Sequence, residues 1–229
     1  MAQIILAVLA GLVVTQIANL CTTVYLHRCA AHRALSLRRP VVFGFRVVTW
    51  ITTGIRPREW VAVHRKHHAF TDVEGDPHSP KLLGWKKVQV GNVGLYKAEA
   101  SNRDTLAKYA KDMQPDAWDR VLFDRSWLGT GIGIAILILL LGPWLGLLAA
   151  AVHTVTYLGT NVLWLALLTG GEGYHNNHHA APTSARIGFD RWQVDLGWWA
   201  IRVLRAFRLA RVRLDRVVLA GQRQRQPVG

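Results

Sequence analysis

Cysteine and acidic residues are scarce in this sequence of 229 residues, which has two cysteines and 14 acidic residues against 28 lysines and arginines. Cys21 lies in an apolar stretch and Cys29 inside the cluster HRCAAH, so neither is an obvious disulfide partner. The scarcity excludes a disulfide framework and is typical of a reducing cytoplasm. It also disfavours a closed zinc site, which needs about four ligands and often uses cysteine.

Charged residues are absent from two long stretches, 2–26 and 128–169, although the chain has a formal net charge of +14 and is 51% hydrophobic. Residues 2–26 are long enough to cross a bilayer core of ~30 Å. No lysine or arginine precedes them, so we expect a membrane span rather than a signal peptide. The second stretch contains Gly142 and Pro143, and we expect two crossings joined by a turn there.

Basic residues crowd the remaining segments, and the positive-inside tendency places those segments in the cytoplasm. Nucleic acid is another partner for such charge, but no nucleic-acid-binding module is recognisable, and lipid headgroups fit the flanking apolar spans better. Residues 198–216 predict an amphipathic helix on the membrane surface, with a solvated basic tail as the alternative. Residues 40–54 are apolar but short and contain Arg46, which favours a re-entrant or interfacial helix.

These patterns predict an all-α integral membrane protein with one domain, residues 1–229, in the cytoplasmic (inner) membrane. It is multi-pass, with about three crossings and a cytoplasmic helical cap. The predicted spans are about 2–26, 128–142 and 146–169, the interfacial helix about 40–54, and the cytoplasmic segments 57–127 and 170–229.

Eight of the ten histidines fall into three clusters, HRCAAH, HRKHH and HNNHH. The second and third clusters repeat the offsets i, i+3 and i+4, which place three rings on one helix face. One alternative is that these are solvated surface histidines beside basic residues, and another is a zinc site. Three such clusters favour a two-metal site of iron type over both alternatives. The predicted ligands are His27, His32, His64, His67, His68, His175, His178 and His179.

The first cluster poses a geometric problem. His27 and His32 are five residues apart, roughly 140° around an ideal helix of ~3.6 residues per turn. Both can face one centre only where the helix ends or unwinds. We expect such a break between Arg28 and Ala31.

The clusters and their flanking residues resemble the membrane-bound fatty acid desaturase family, particularly its bacterial acyl-lipid or acyl-CoA Δ9-type branch. The similarity covers most of the chain, and the three boxes are specific for the superfamily but much less so for the substrate. It rests on YLHR (25–28), AHRAL (31–35), TG (53–54), EWVAVHRKHH (59–68), DPHSP (76–80) and GGEGYHNNHH (170–179).

The resemblance implies a non-haem di-iron oxidoreductase of lipid metabolism. Such an enzyme uses two Fe2+ ions, O2 and two electrons to place a cis double bond in the acyl chain of an acyl-CoA or acyl-lipid, reducing O2 to water. It implies no catalytic residues beyond the metal ligands. The sequence has no nucleotide loop in a βαβ context, so the electrons must come from another protein, such as ferredoxin with its reductase. A hydroxylase on the same scaffold, and a degenerate metal-binding relative without activity, are the alternatives.

Nearby polar side chains are candidates for orienting the ligands, because a ligating imidazole usually donates its other N–H to a carboxylate or carbonyl. Asp76 and Glu172 are the first candidates, and Asn176 is another. For Asp72 and Glu74, loop solvation or helix capping is an equally good interpretation.

One feature of the family is missing. Relatives usually carry an Asn-x-x-x-His unit in the last span, whose histidine supplies a further iron ligand. Residues 149–169 lack this unit, and His153 is the imidazole left to compensate. A lone histidine on an apolar helix is more often a packing residue than a ligand, although polar side chains within a bilayer are often functional.

Overall fold

The computed structural model describes residues 1–159, 175–190 and 192–215, and these are mostly helical. The helices are α1 (Ala2–Cys21), α2 (Arg39–Thr53), α3 (Pro57–Ala69), α4 (Pro80–Leu83), α5 (Trp85–Ala100), α6 (Arg103–Tyr109), α7 (Ser126–Leu141), α8 (Pro143–Gly159), α9 (His175–Ala180) and α10 (Leu196–Ala206). Two π-helices, Thr22–Ala31 and Asp119–Phe123, and two strands, β1 (Leu35–Leu37) and β2 (Ala210–Val212), complete these segments.

One helix in the described residues is long and apolar enough to cross a membrane. It is the continuous α1 and first π-helix, Ala2–Ala31, with 30 residues. The apolar helices α7 and α8 are shorter, with 16 and 17 residues. They meet at Gly142, whose φ of 86° is in the left-handed region that favours glycine, and Pro143 then begins α8.

Glycines bring the apolar helices into close contact. A Cβ added to Gly11 of α1 would lie 2.5 Å from the Ala149 carbonyl oxygen of α8. A Cβ added to Gly133 of α7 would lie 2.1 Å from the Ile51 carbonyl oxygen of α2. Small residues at such contacts are typical of helices that pack within a bilayer, because they let the backbones approach closely.

A small antiparallel sheet departs from the all-helical expectation. Strand β1 pairs with β2, with Leu35 opposite Val212 and Leu37 opposite Ala210. Leu35 also belongs to a buried apolar cluster with Val24 and Ile201. The sheet and this cluster hold the end of the first helix against the C-terminal segment.

Helix α10 is shorter than the amphipathic helix expected over residues 198–216. It ends at Ala206, where Arg208 adopts a left-handed φ of 57° and the Leu209 N–H donates to the Leu204 carbonyl. Such a Schellman-type turn satisfies the last carbonyls and redirects the chain. The following residues can then form strand β2.

Candidate metal centre

The first histidine pair lies on and beside the π-helix Thr22–Ala31. Its hydrogen bonds run from residue i to i+5, and the His32 N–H donates to the His27 carbonyl at 3.0 Å. The helix ends at Ala31, within the region of the expected break, but before that it widens into a π-helix, which was not expected. Each turn holds about one residue more than an α-helix, so residues five apart share a face, and the two ring centroids are 4.9 Å apart.

The second box lies on α3 and the third on α9. Pro57 occupies the first turn of α3, where a missing N–H costs nothing. His64 and His68, one helical turn apart, have ring centroids 4.6 Å apart. His178 on α9 packs against both the first and the second box, with its ring centroid 4.2 Å from that of His27 and 4.8 Å from that of His68.

These elements bring together five imidazoles, which we call the five-histidine cluster. Each offers one nitrogen, and all five nitrogens lie within 4.8 Å of one another. The Nε2 atom of His178 is 2.9 Å from Nε2 of His27 and 3.0 Å from Nε2 of both His32 and His68. The Nε2 atoms of His32 and His64 are 2.8 Å apart. The members are His27, His32, His64, His68 and His178.

The spacing of these nitrogens fits a shared cation better than hydrogen bonds. A neutral imidazole nitrogen carries either one hydrogen or one lone pair, so the His178 Nε2 atom cannot bond to three other nitrogens. Two nitrogens bound at ~2.1 Å to one ion, about 90° apart, lie roughly 3.0 Å from each other. The donor set therefore suits a transition metal such as iron.

His67 faces a different partner from its neighbours in the second box. Its Nδ1–H donates to the two carboxylate oxygens of Asp76 at 2.9 and 3.0 Å, and both side chains are buried. Asp76 also accepts the backbone N–H groups of Asp72 and His78 at 3.0 Å each. A carboxylate bound in this way fixes the tautomer, so that Nε2 is the nitrogen of His67 that could bind a metal.

His179 lies between His68, a member of the five-histidine cluster, and His67, which is outside it. Its ring stacks on that of His68, with centroids 4.4 Å apart, and meets that of His67 edge-on at 5.2 Å. Sequence reasoning missed two further rings at the site. His78 stacks on His67 with centroids 4.5 Å apart, and Trp60 stacks on His64 at 4.7 Å. Both rings lie in motifs that carry the family resemblance, Trp60 in EWVAVHRKHH and His78 in DPHSP, but neither was singled out as a site residue.

The pKa values of three site histidines favour the neutral, metal-binding form of the imidazole. Burial, reinforced by neighbouring imidazoles, holds the pKa of His64 and of His68 well below its ordinary value. The same causes lower the pKa of His179 to about 4. Burial tends to raise the pKa of Asp76, but its hydrogen bonds from His67 and the backbone outweigh this effect and lower it. Deprotonated ligands need release no protons when a metal binds.

Arg65, inside the second box, fixes that box to the end of the first. Its guanidinium donates to the carbonyls of Ala30 and Ala31 at 2.8 and 2.9 Å, and to the Tyr109 carbonyl at 2.8 Å. It also pairs with Asp112 at 2.6 Å and holds the pKa of that carboxyl well below its usual range. The basic residues in the boxes therefore join elements instead of facing solvent.

Comparison with known proteins identifies this arrangement. The sequence profile of the fatty acid desaturase family matches residues 2–163. The chain belongs to the fatty acid desaturase family. It is 30% identical to the sn-1 stearoyl-lipid 9-desaturase of Synechocystis, over 82% of this chain and 65% of the relative. It is also 30% identical to the Delta-9 acyl-lipid desaturase 1 of Arabidopsis thaliana, over 89% of this chain and 74% of the relative.

A more distant similarity is to the icosanoyl-CoA 5-desaturase of Limnanthes douglasii, 29% identical over 82% of this chain. The chain spans 65% of the length of the cyanobacterial relative, slightly less than two thirds. Family membership and the apolar first helix together make this desaturase-family chain a membrane protein.

Some of the expected site residues lie outside the described part of this desaturase-family chain. They are Glu172 and the side chains of His175 and Asn176. The neighbouring Asn177 is described, and its Nδ2 donates to the Ile187 carbonyl at 3.2 Å and to Oε1 of Gln193 at 2.9 Å. Asn177 thus ties α9 to the segment that follows it.

His153, the candidate substitute for the family's extra ligand, binds other groups. Its Nε2–H donates to the Thr52 carbonyl of α2 at 2.8 Å, which leaves Nδ1 to accept the Thr15 hydroxyl of α1 at 3.0 Å. The ring is buried and joins three apolar helices. Because both nitrogens are engaged in this way, His153 is a packing residue in this structure.

Proposed function

We propose that this chain is a non-haem di-iron fatty acid desaturase. The observation that carries the proposal is the five-histidine cluster, in which nitrogens from all three boxes approach to 2.8–3.0 Å within a chain of this family. The reaction converts a –CH2–CH2– unit, O2, two electrons and two protons into a –CH=CH– unit and two molecules of water. The bound irons would supply the O2-dependent oxidation, which no protein side chain can perform.

The chain's own residues would hold and orient the metals. The five-histidine cluster has enough nitrogens for one ion. His67 and His179, with His175, are the proposed ligands around the second. Asp76 would keep the His67 Nε2 atom free of its proton and aimed at that ion, since it binds the opposite ring nitrogen. The rings of Trp60 and His78 would shield the centre from water.

The proposed arrangement in the cytoplasmic membrane is multi-pass, with the histidine boxes facing the cytoplasm. With spans over about 2–26, 128–142 and 146–169, the boxes would lie on one side, because an even number of crossings would separate the second box from the third. The basic segments support the cytoplasmic side. Trp199 of α10 and Phe207, the residue that follows α10, are 60% and 73% exposed beside arginines, which suits contact with membrane lipids.

The proposed substrate is an acyl-lipid or acyl-CoA. The relatives named above act on stearoyl-lipid, acyl-lipid and icosanoyl-CoA substrates by their names. Electrons would come from an external donor such as ferredoxin with its reductase. The basic surface suits an acidic donor, because complementary charge speeds association.

The test is a reconstituted reaction. The full chain, purified in detergent and loaded with Fe2+, is returned to lipid vesicles with ferredoxin, its reductase and stearoyl-lipid or stearoyl-CoA. Products are analysed by gas chromatography and mass spectrometry after iron and zinc per chain have been measured. A monounsaturated acyl chain and close to two irons are expected. The matched control is His178→Ala, which removes the most highly connected nitrogen of the cluster.

Other outcomes separate the alternatives. A hydroxylated acyl chain would overturn desaturation in favour of a mono-oxygenase. No product, together with zinc or fewer than two irons, would favour a degenerate metal-binding relative. Product formation that survives His178→Ala would overturn the assignment of the five-histidine cluster.

A further inference from the structure

Arg28 is the largest fully buried side chain in the described structure, and it stands next to the metal-ligand candidate His27. A buried guanidinium is costly unless it is paired and hydrogen-bonded. Its NH2 group donates to Oδ1 of Asp195 at 2.7 Å, and its NH1 group donates to the Ala185 carbonyl at 3.1 Å. The side chains of Arg28 and Asp195 are 1% and 3% exposed.

Asp195 is itself fixed by the backbone around it. It accepts the Trp198 N–H at 2.8 Å and so caps the start of α10. Its other oxygen accepts the N–H groups of Ile187 and Gly188 at 2.9 and 3.3 Å. The Asp195 carboxylate therefore connects the segment after the third box and the start of α10 to the Arg28 guanidinium.

Gly197 completes the buried site that holds the Arg28 guanidinium. A Cβ added there would lie 2.9 Å from Cζ of Arg28 and 3.0 Å from its NH2 nitrogen. The guanidinium thus lies flat against the backbone of α10. A side chain at this position would displace it without removing any charge or hydrogen-bonding group.

These contacts join the first box to the third. Arg28 precedes His32 by four residues and follows His27 directly, whereas Ala185 and Asp195 lie on the segment that leaves the third box. Between these two attachments, Nε2 of His27 meets Nε2 of His178 at 2.9 Å. The contacts of the Arg28 guanidinium therefore fix the distance between the first box and the segment that follows the third box. Both boxes must supply nitrogens to the same ion.

We propose that Arg28 is a positioning residue: held by Asp195, the Ala185 carbonyl and Gly197, it aligns the third histidine box with the first and so sets the affinity and geometry of the metal site. The inference rests on the proposed metal-binding function and deepens it. Arg28 touches no reacting group and acts through His27 and His178.

A purely structural ion pair would behave differently, and the chain has one for comparison. Arg46 of α2 pairs with Asp116 and Asp119, each at 2.6 Å, and is 11% exposed. It joins α2 to the segment around the second π-helix, away from the histidine contacts. Loss of this pair should lower stability and leave the metal site unchanged.

The experiment uses the full chain in detergent, freed of metal and titrated with Co2+, whose ligand-field absorption reports coordination geometry. The variants are Arg28→Lys, Asp195→Asn and Gly197→Ala, with thermal unfolding of the metal-free protein measured for each. The controls are Arg46→Lys and Gly91→Ala, since a Cβ at Gly91 would meet nothing within 4 Å. Co2+ affinity should fall about 10–100-fold in the three variants, with altered ligand-field bands, and stay unchanged in the controls.

Each outcome decides the matter. Should Arg28→Lys fail to fold, Gly197→Ala answers the question, because it removes no polar group. Spectra and affinities like those of the unsubstituted chain in both Gly197→Ala and Asp195→Asn would overturn the proposal for Arg28 alone. Failure of the unsubstituted chain to bind Co2+ would overturn the metal site itself, and this inference with it.

Discussion

The histidine boxes and the apolar helices of this chain are held together by opposite means. In the box region, charged side chains bridge the elements, as Arg65 does with the carbonyls of Ala30 and Ala31. Between the apolar helices, backbones meet directly at glycines such as Gly11 and Gly133. Directional hydrogen bonds fix the relative orientation of the elements in the box region. Between membrane helices, lipid is as apolar as the helix surface, so burial gives no hydrophobic stabilisation, and close backbone contact instead provides dispersion attraction.

The difference separates two kinds of consequence. A metal site depends on the position of a few nitrogens, so small displacements in the box region should change metal binding strongly. The packing of apolar helices is spread over many weak contacts, so a change there should lower stability and leave the metal stoichiometry of the folded protein intact. His153 crosses this division, being a histidine in the apolar region.

The largest effect is expected for His178→Ala. The His178 Nε2 atom lies within 3.0 Å of three other imidazole nitrogens, so its loss opens the centre of the five-histidine cluster. Metal should be lost from the purified protein, an effect beyond the roughly 10–100-fold that residues orienting a ligand contribute. Iron per chain is measured by elemental analysis, with His153→Ala beside it. Retention of full iron by His178→Ala would contradict the cluster as a metal site.

Asp76→Asn should have the next largest effect. The amide keeps the shape of the side chain but loses the negative charge that His67 Nδ1–H now meets at 2.9 Å. Metal affinity should fall about 10–100-fold, because the His67 ring loses its fixed tautomer and part of its basicity. Competition against a chelator measures the change.

The control for this substitution is Asp104→Asn, at an exposed carboxylate of α6. It should leave the affinity unchanged. Equal effects of the two substitutions would mean that overall charge, and not the orientation of His67, governs binding.

The sequence predicted the ligand candidates and the apolar helices because both are local patterns. The offsets in HRKHH place His64 and His68 on one face of any helix, and the presence of three such histidine clusters predicted one shared metal site. The π-helix escaped prediction because its i to i+5 bonding leaves no signature in a periodicity of 3.6. The pairing of Leu35 with Val212 and of Arg28 with Asp195 joins distant segments, which no local pattern encodes.

Gly133→Ala tests the apolar region. Its Cβ would lie 2.1 Å from the Ile51 carbonyl oxygen, so α7 and α2 must separate. Overpacking of this kind costs about 1–3 kcal/mol. Unfolding of the detergent-solubilised protein should occur at lower temperature, while iron per folded chain stays the same.

Gly131→Ala in the same helix is the matched control, since nothing lies within 4 Å of its Cβ position. There the higher helix propensity of alanine, worth about 1 kcal/mol, should stabilise the chain. The two alanines should therefore act with opposite sign. Equal shifts would argue against close packing between α2 and α7.

His153→Ala should have the smallest effect and is the most informative about the missing Asn-x-x-x-His unit. The substitution removes hydrogen bonds to the Thr52 carbonyl and the Thr15 hydroxyl. Hydrogen bonds between membrane helices average roughly 0.6 kcal/mol each, so the free energy of unfolding should fall by about 1 kcal/mol. Thr154→Ala, at the next and exposed position of α8, should change it less. Iron content should match that of the unsubstituted chain in both variants, because both ring nitrogens of His153 are hydrogen-bonded and join α1, α2 and α8. A loss of iron confined to His153→Ala would instead identify His153 as a metal ligand and place it with the boxes.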